Sequence, residues 1–152
     1  MRSIRTKAAV LCAAAALTLA GAGLGAGAAS AHAVPQGSCG SGFVKVGSHK
    51  LTADWGKPHV GGTVTVYYNR STGKNCAIAR PIHAWAGKAK NVSVWMQRLP
   101  HGARDADSSD SYRFYAGPIY VSARHKCIRV FAQVKSPQGE IYVGGTPRGY
   151  CR

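Results

Sequence analysis

The chain has 152 residues, with 20 Lys and Arg against five Asp and Glu, and a formal net charge of +15. Its length suits one compact domain, and its charge turns away cationic ligands and favours anionic ones, because counterion release draws a basic surface to any polyanion. With so few acids, and with no H-E-x-x-H, G-x-S-x-G or phosphate-cradling loop, little is left from which to build acid–base or metal chemistry.

In chain order, residues 1–33 read as a secretory signal peptide. Arg2, Arg5 and Lys7 make a basic start, residues 8–20 are apolar, and Ala29-Ser30-Ala31-His32-Ala33 offers two overlapping small-x-small cleavage sites. Thr18 and the glycines thin the apolar run below the roughly 20 strongly apolar residues that a spanning helix needs. Cys12 follows bulky Leu11, does not fit a lipid-anchor signal, and leaves with the segment. Cleavage removes three cations and no acid, so the remaining single domain, 34–152, stays strongly basic, with no transmembrane segment expected in it.

That domain keeps Cys39, Cys76, Cys127 and Cys151. An even number of widely spaced cysteines in a small exported chain predicts two disulfides, each worth roughly 2–4 kcal/mol through restriction of the unfolded chain. Three connectivities are open; the nested one, Cys39 with Cys151 and Cys76 with Cys127, is preferred. No C-x-x-C supports a redox role.

Short alternating runs rich in Val, Tyr, Thr and Ile recur between turn clusters, and no window carries a helical stripe. Residues 43–46 and 50–53 predict two short strands around Gly47-Ser48. Residues 63–68 and 75–80 predict a hairpin turning through 69–74, and Val92, Val94 and Met96 alternate with Ser93, Trp95 and Gln97 in the next strand. Residues 100–111 are polar and read as a loop. Tyr112, Phe114 and Ala116 alternate in one phase and Ile119, Val121 and Ala123 in the other, which predicts one long strand bulged and bent at Gly117-Pro118, with both sets facing the core. Ile128, Val130, Ala132 and Val134 form the next apolar face, 136–139 turns, and 140–143 makes a last strand. The sum is an all-β chain: a small disulfide-stabilised antiparallel β-sandwich of seven or eight strands.

Tyr68-Asn69-Arg70-Ser71-Thr72-Gly73-Lys74-Asn75-Cys76, Tyr115-Ala116-Gly117-Pro118-Ile119, Cys127, Cys39-Gly40-Ser41-Gly42-Phe43 and Cys151 together resemble the small secreted actinobacterial proteins related to spore-associated protein A. The resemblance is anchored between Gly62 and Ile128. Ile128-Arg129-Val130-Phe131 departs from the Trp and glycines found after the third cysteine in those proteins, and the strong basic balance is a second departure. The resemblance implies export and association with spores or the cell surface of filamentous bacteria. It brings no catalytic residue and no cofactor.

The binding material is richer than the catalytic material. Arg70, Lys74, Lys88, Lys90, Arg124, Lys126 and Arg129 fall in or beside predicted turns, with Tyr67, Trp85 and Trp95 nearby in sequence. Cations with aromatic rings grip anionic polymers, so the expected partner is an anionic cell-wall or spore-surface polymer, with nucleic acid as a partner that no specific motif supports. Asp105, Asp107 and Asp110 imitate the start of a calcium loop, but Asp110 stands where the loop needs glycine and Ala116 where it needs a bidentate carboxylate. The alternative function is a small secreted hydrolase, ribonuclease-like, or an inhibitor, with His83, His101 or His125 as proton-transfer groups. No catalytic and no metal residue is assigned.

Overall fold

In a computed structural model of the chain, the structure describes residues 37–53 and 59–152. The expected signal peptide, Cys12 and Asp54 lie outside the described residues. Eight strands follow one another: β1 (Val44–Ala53), β2 (Val60–Asn69), β3 (Lys74–Pro81), β4 (Asn91–Arg98), β5 (Arg104–Ser109), β6 (Ala116–Ser122), β7 (Ile128–Lys135) and β8 (Ile141–Gly149), with one 3-10 turn at His83–Trp85. Every pairing is antiparallel, and the sheet order is β5-β4-β7-β8-β1-β2-β3-β6.

The sheet folds over into two layers that face one another. One layer is β6-β3-β2-β1 and the other β8-β7-β4-β5, joined where Thr52 and Ala53 pair with Val143 and Tyr142. Inward positions follow the two-residue period: Val64 and Val66 on β2 and Ala77 and Ala79 on β3 meet Val92, Val94 and Met96 on β4 and Val130, Ala132 and Val134 on β7. Leu51, Met96 and Ile128 are fully buried, each contributing about 1.5–3 kcal/mol of hydrophobic stabilisation.

The two outermost strands, β5 and β6, meet without a backbone ladder among the described residues. Side chains join them instead. Asp107 Oδ2 accepts from the Gly117 amide at 2.6 Å, and Asp105 Oδ2 accepts from the Tyr120 amide at 2.8 Å. A strand thus occupies part of the polar stretch 100–111 that reads as loop. Its sequence, RDADSS, hides it because an edge strand whose inward positions bond to a neighbouring backbone needs no apolar residues.

The bulge at Gly117-Pro118 is present, and the strand before it is not. Ala77 pairs with Ile119 and Ala79 with Ala116, so β6 carries one extra residue and keeps Ala116, Ile119, Val121 and Ala123 all buried. Gly117 has φ +93°, and a Cβ there would lie 2.6 Å from the Ala77 carbonyl oxygen, so the bulge requires glycine. Residues 112–115 form an irregular loop held by Arg113, whose Nη1 donates to the carbonyls of Lys90 (2.7 Å) and Asp110 (2.6 Å). Phe114 is 61% exposed whereas Ile119 is buried, which corrects the expectation that both face the core. A second correction merges the two short strands expected at 43–46 and 50–53 into β1, which bulges at Val46 through a register shift against β2 and continues through Gly47 opposite Val66.

Both disulfides form, in sequential rather than nested pairing: Cys39–Cys76 and Cys127–Cys151. The β7–β8 register decides one of them, because Ile128 opposite Gly149 leaves the flanking Cys127 and Cys151 side by side. The other fastens the segment before β1 over the outer face of β3, where Cys76 and Ile78 are covered by Phe43, Tyr67, Tyr115 and Tyr120. Tyr120 Oη donates to the Cys39 carbonyl at 3.2 Å, and Arg80 donates to the Gly37 carbonyl. β3 is therefore buried on both faces along most of its length.

Candidate functional site

Strict alternation of strand direction places every turn that follows an even-numbered strand at the same end of the sandwich. Arg70 and Lys74 flank the β2–β3 turn, Arg98 and Arg104 the β4–β5 loop, Arg124 and Lys126 the β6–β7 turn, and Arg148 and Arg152 lie at the close of β8. Contacts between the turns hold them together. The Ala123 amide donates to the Gly73 carbonyl at 3.0 Å, the Leu99 amide to the Cys127 carbonyl at 2.8 Å, and Arg98 Nη1 reaches the Ser122 carbonyl at 3.4 Å. Among the described residues, Asp105 is the acid nearest this end, and it is bonded into the β5–β6 seam.

Five of the seven predicted binding residues therefore converge here: Arg70, Lys74, Arg124, Lys126 and Arg129. Lys88 and Lys90 do not; they are exposed between the 3-10 turn and β4, at the opposite end with Asp110, Arg113 and Glu140. The five differ in what they have to offer. Arg70, Lys74 and Lys126 are exposed. Arg124 is committed in part to the fold, since its Nη2 donates to the carbonyls of Ser71 (2.7 Å) and Arg70 (3.2 Å) and latches the two turns. Gly73, at φ +68°, makes room for it, because a Cβ there would lie 2.8 Å from Arg124 Cβ. Arg129 is half-buried on β7 opposite Gln97, and its Nε finds no partner among the described residues.

Arg98, Arg104, Arg148 and Arg152 belong to the same basic end and were not singled out from the sequence. The signal that finds them is topological: once the strand count is right, odd and even turns sort to opposite ends. Missing β5 breaks that sorting, because every later turn changes ends.

The predicted aromatic partners scatter. Trp85 packs against Tyr142 with ring centroids 5.0 Å apart, and Tyr67 covers the outer face of β3. Trp95 lies on the outer face of β4 beside Phe131, at 6.2 Å between centroids, in a groove of about 350 Å³ that Ser93, Ser108, Gln133 and Val143 complete. Arg129 neighbours that groove on β7, two residues before Phe131.

Two further concavities bear on chemistry. At the mixed end a cleft of about 360 Å³ is lined by Asp107, Tyr112, Arg113, Phe114 and Tyr115. There Asp107 raises the Tyr112 hydroxyl above its ordinary pKa, through hydrogen bonding first and charge second. At the basic end a pocket of about 360 Å³ is lined by Leu99, Pro100, His125, Lys126, Cys127 and Arg148. His125 is thus the candidate histidine with cationic neighbours, while His83 sits at the mixed end and His101 on the β4–β5 loop outside the pocket lining. No group of three or more His, Cys, Asp or Glu able to hold a metal stands together among the described residues, and Asp105 and Asp107 are engaged by backbone amides. No helix there is long and apolar enough to cross a membrane.

The chain resembles Spore-associated protein A of Streptomyces coelicolor. The two are 38% identical over 92 residues, which is 60% of this chain and 53% of that protein, so the chain spans about half the length of the relative it matches. No family model and no solved structure matches it.

Proposed function

We propose that this is a secreted, non-enzymatic protein associated with the spore or cell surface and retained there on an anionic polymer by its basic end. The carrying observation is the segregation of charge: exposed Arg70, Lys74, Lys126, Arg148 and Arg152 share one end, while Asp110 and Glu140 lie at the other. A basic surface kept only for solubility has no need of such sorting, whereas docking on a polyanion gains from it through counterion release and steering. The name of the Streptomyces coelicolor relative supports a spore location.

The experiment is retention of the purified protein on isolated cell wall and spore coats across a salt series. Release between low and high salt supports charge as the anchor, while absent or salt-independent retention rejects it. The second reading, a small ribonuclease-like hydrolase or an inhibitor, is favoured only by His125 beside Lys126 and Arg148. Acid–base cleavage of a phosphodiester uses two positioned proton-transfer groups, and this pocket supplies one histidine. RNA turnover that survives repurification and is lost in His125→Ala would replace the binding reading.

A further inference from the structure

The pocket at the basic end has a built frame. Three separate elements supply its walls: the β4–β5 loop gives Leu99 and Pro100, the β6–β7 turn gives His125 and Lys126, and β8 gives Arg148. Each is fastened. Leu99 donates its amide to Cys127, Lys126 donates its amide to the Ala123 carbonyl at 3.1 Å, and the Cys127–Cys151 disulfide ties the chain after β8 to the start of β7. His125 holds φ 55°, a left-handed conformation that non-glycine residues seldom adopt and that the tight turn imposes here. A turn fixed in this way has little backbone entropy left to lose on binding.

The lining is divided in chemistry. His125, Lys126 and Arg148 bring nitrogen donors of three kinds, and no carboxylate lines the pocket to compete for them. A guanidinium fork pairs two oxygens of a phosphate, and an ammonium adds a point charge. The remaining wall, Leu99, Pro100 and the Cys127 disulfide, is apolar and carries no aromatic ring. Single-stranded nucleic acid is gripped by stacking its bases on aromatic side chains, so this wall suits a saturated carbon segment better than a base. A volume of about 360 Å³ lies at the small end of the roughly 300–1,000 Å³ usual for ligand pockets.

We infer that this pocket is a subsite for one phosphodiester unit of a polyol-phosphate polymer, the phosphate on His125, Lys126 and Arg148 and the carbon segment on Leu99 and Pro100. The inference rests on the reading of the basic end as the docking end, and narrows its partner from any polyanion to one chemical class. It also divides the labour there: the dispersed cations hold the polymer by unselective attraction, and the pocket selects the repeating unit.

The test is titration of the full-length protein with glycerol phosphate by amide NMR, with calorimetry on poly(glycerol phosphate), polyglutamate and single-stranded DNA matched for charge. Saturable shifts at Leu99, Lys126, Cys127 and Arg148 are expected, together with a preference for the phosphate polymer over polyglutamate. Lys126→Gln/Arg148→Gln should weaken glycerol phosphate at least about fivefold, whereas Lys88→Gln/Lys90→Gln, which removes the same charge at the mixed end, should leave it unchanged. Equal weakening by the two pairs, or no saturable shift, overturns the pocket. Tighter binding of DNA than of poly(glycerol phosphate) overturns the choice of polymer. Wall retention that persists without glycerol phosphate binding removes the subsite and keeps the docking reading. Glycerol phosphate binding without wall retention keeps the subsite and removes the docking reading.

Discussion

The two ends of the sandwich are built alike and furnished differently. Each has an arginine that latches loops by donating to backbone carbonyls: Arg124 to Ser71 and Arg70 at the basic end, Arg113 to Lys90 and Asp110 at the mixed end. Around the first latch stand Arg70, Lys74, Lys126 and Arg148; around the second, Lys88 and Lys90 share the surface with Asp110 and Glu140. An arginine spent on the fold is thus distinguishable from a cation left on the surface, and the ends differ in whether acids stand beside the surface cations.

The two disulfides should give the largest effect in any comparison. Cys39→Ala/Cys76→Ala and Cys127→Ala/Cys151→Ala should each lower stability by about 2–4 kcal/mol in denaturant melts. The second pair, whose Cys127 lines the basic pocket, should weaken wall retention more than the first in protein that remains folded. Charge reversal comes next. Lys74→Glu/Lys126→Glu should reduce retention at low salt at least about tenfold, and Lys88→Glu/Lys90→Glu, with the same change in net charge, by less than about threefold. Equal losses would erase the distinction between the ends.

The latches test the same distinction through stability. Arg124→Ala and Arg113→Ala each remove a pair of charge-assisted hydrogen bonds, and each should cost about 1–2 kcal/mol in thermal or chemical melts. Retention should follow Arg124 alone, since it orders the turns that carry Arg70 and Lys126.

The smallest effect lies in the tyrosines. At the mixed end Tyr142 Oη donates to Glu140 Oε2 at 2.8 Å, and that hydrogen bond, followed by burial and the Glu140 charge, raises its pKa. At the basic end burial raises Tyr150, while the charge of Arg152 pulls the other way. A tyrosine whose folded pKa exceeds its unfolded value keeps its full stabilising contribution below about pH 10, and loses it as pH rises through the folded value. Tyr142→Phe should therefore cost about 1 kcal/mol at neutral pH and flatten the alkaline loss of stability, read from urea melts at pH 8–11. Tyr150→Phe should flatten it less, because Arg152 opposes the shift.

Strands with one buried face were legible in the sequence. Val64 and Val66, Val92 to Met96, and Ile128 to Val134 alternate as they pack, and β2, β4 and β7 fall within a few residues of where the pattern places them; β3, buried on both faces, follows from the hairpin turn instead. Two failures share a cause: alternation reports burial by apolar contact and nothing else. β5 is invisible because Asp105 and Asp107 face inward to bond backbone amides. Tyr112 and Phe114 alternate without being strand, because Arg113 between them is tied to loop carbonyls. The Cys127–Cys151 pairing was in principle readable from the hairpin turning at 136–140, since the two cysteines stand almost symmetrically about it. As for the binding residues, their types and turn positions were visible, but that Arg124, Lys126 and Arg129 share an end with Arg70 and Lys74 depends on strand parity, which required β5.

The carboxylate seam also bears on how copies of this chain behave when crowded. An open-edged sheet invites a second molecule to add its own strand, and the risk grows wherever molecules gather densely on a support. Here the amides of Gly117 and Tyr120 on β6 are already taken by side chains of β5, so each outermost strand helps shield the other. The same two aspartates thus act as a safeguard against fibre growth wherever copies of the chain are concentrated.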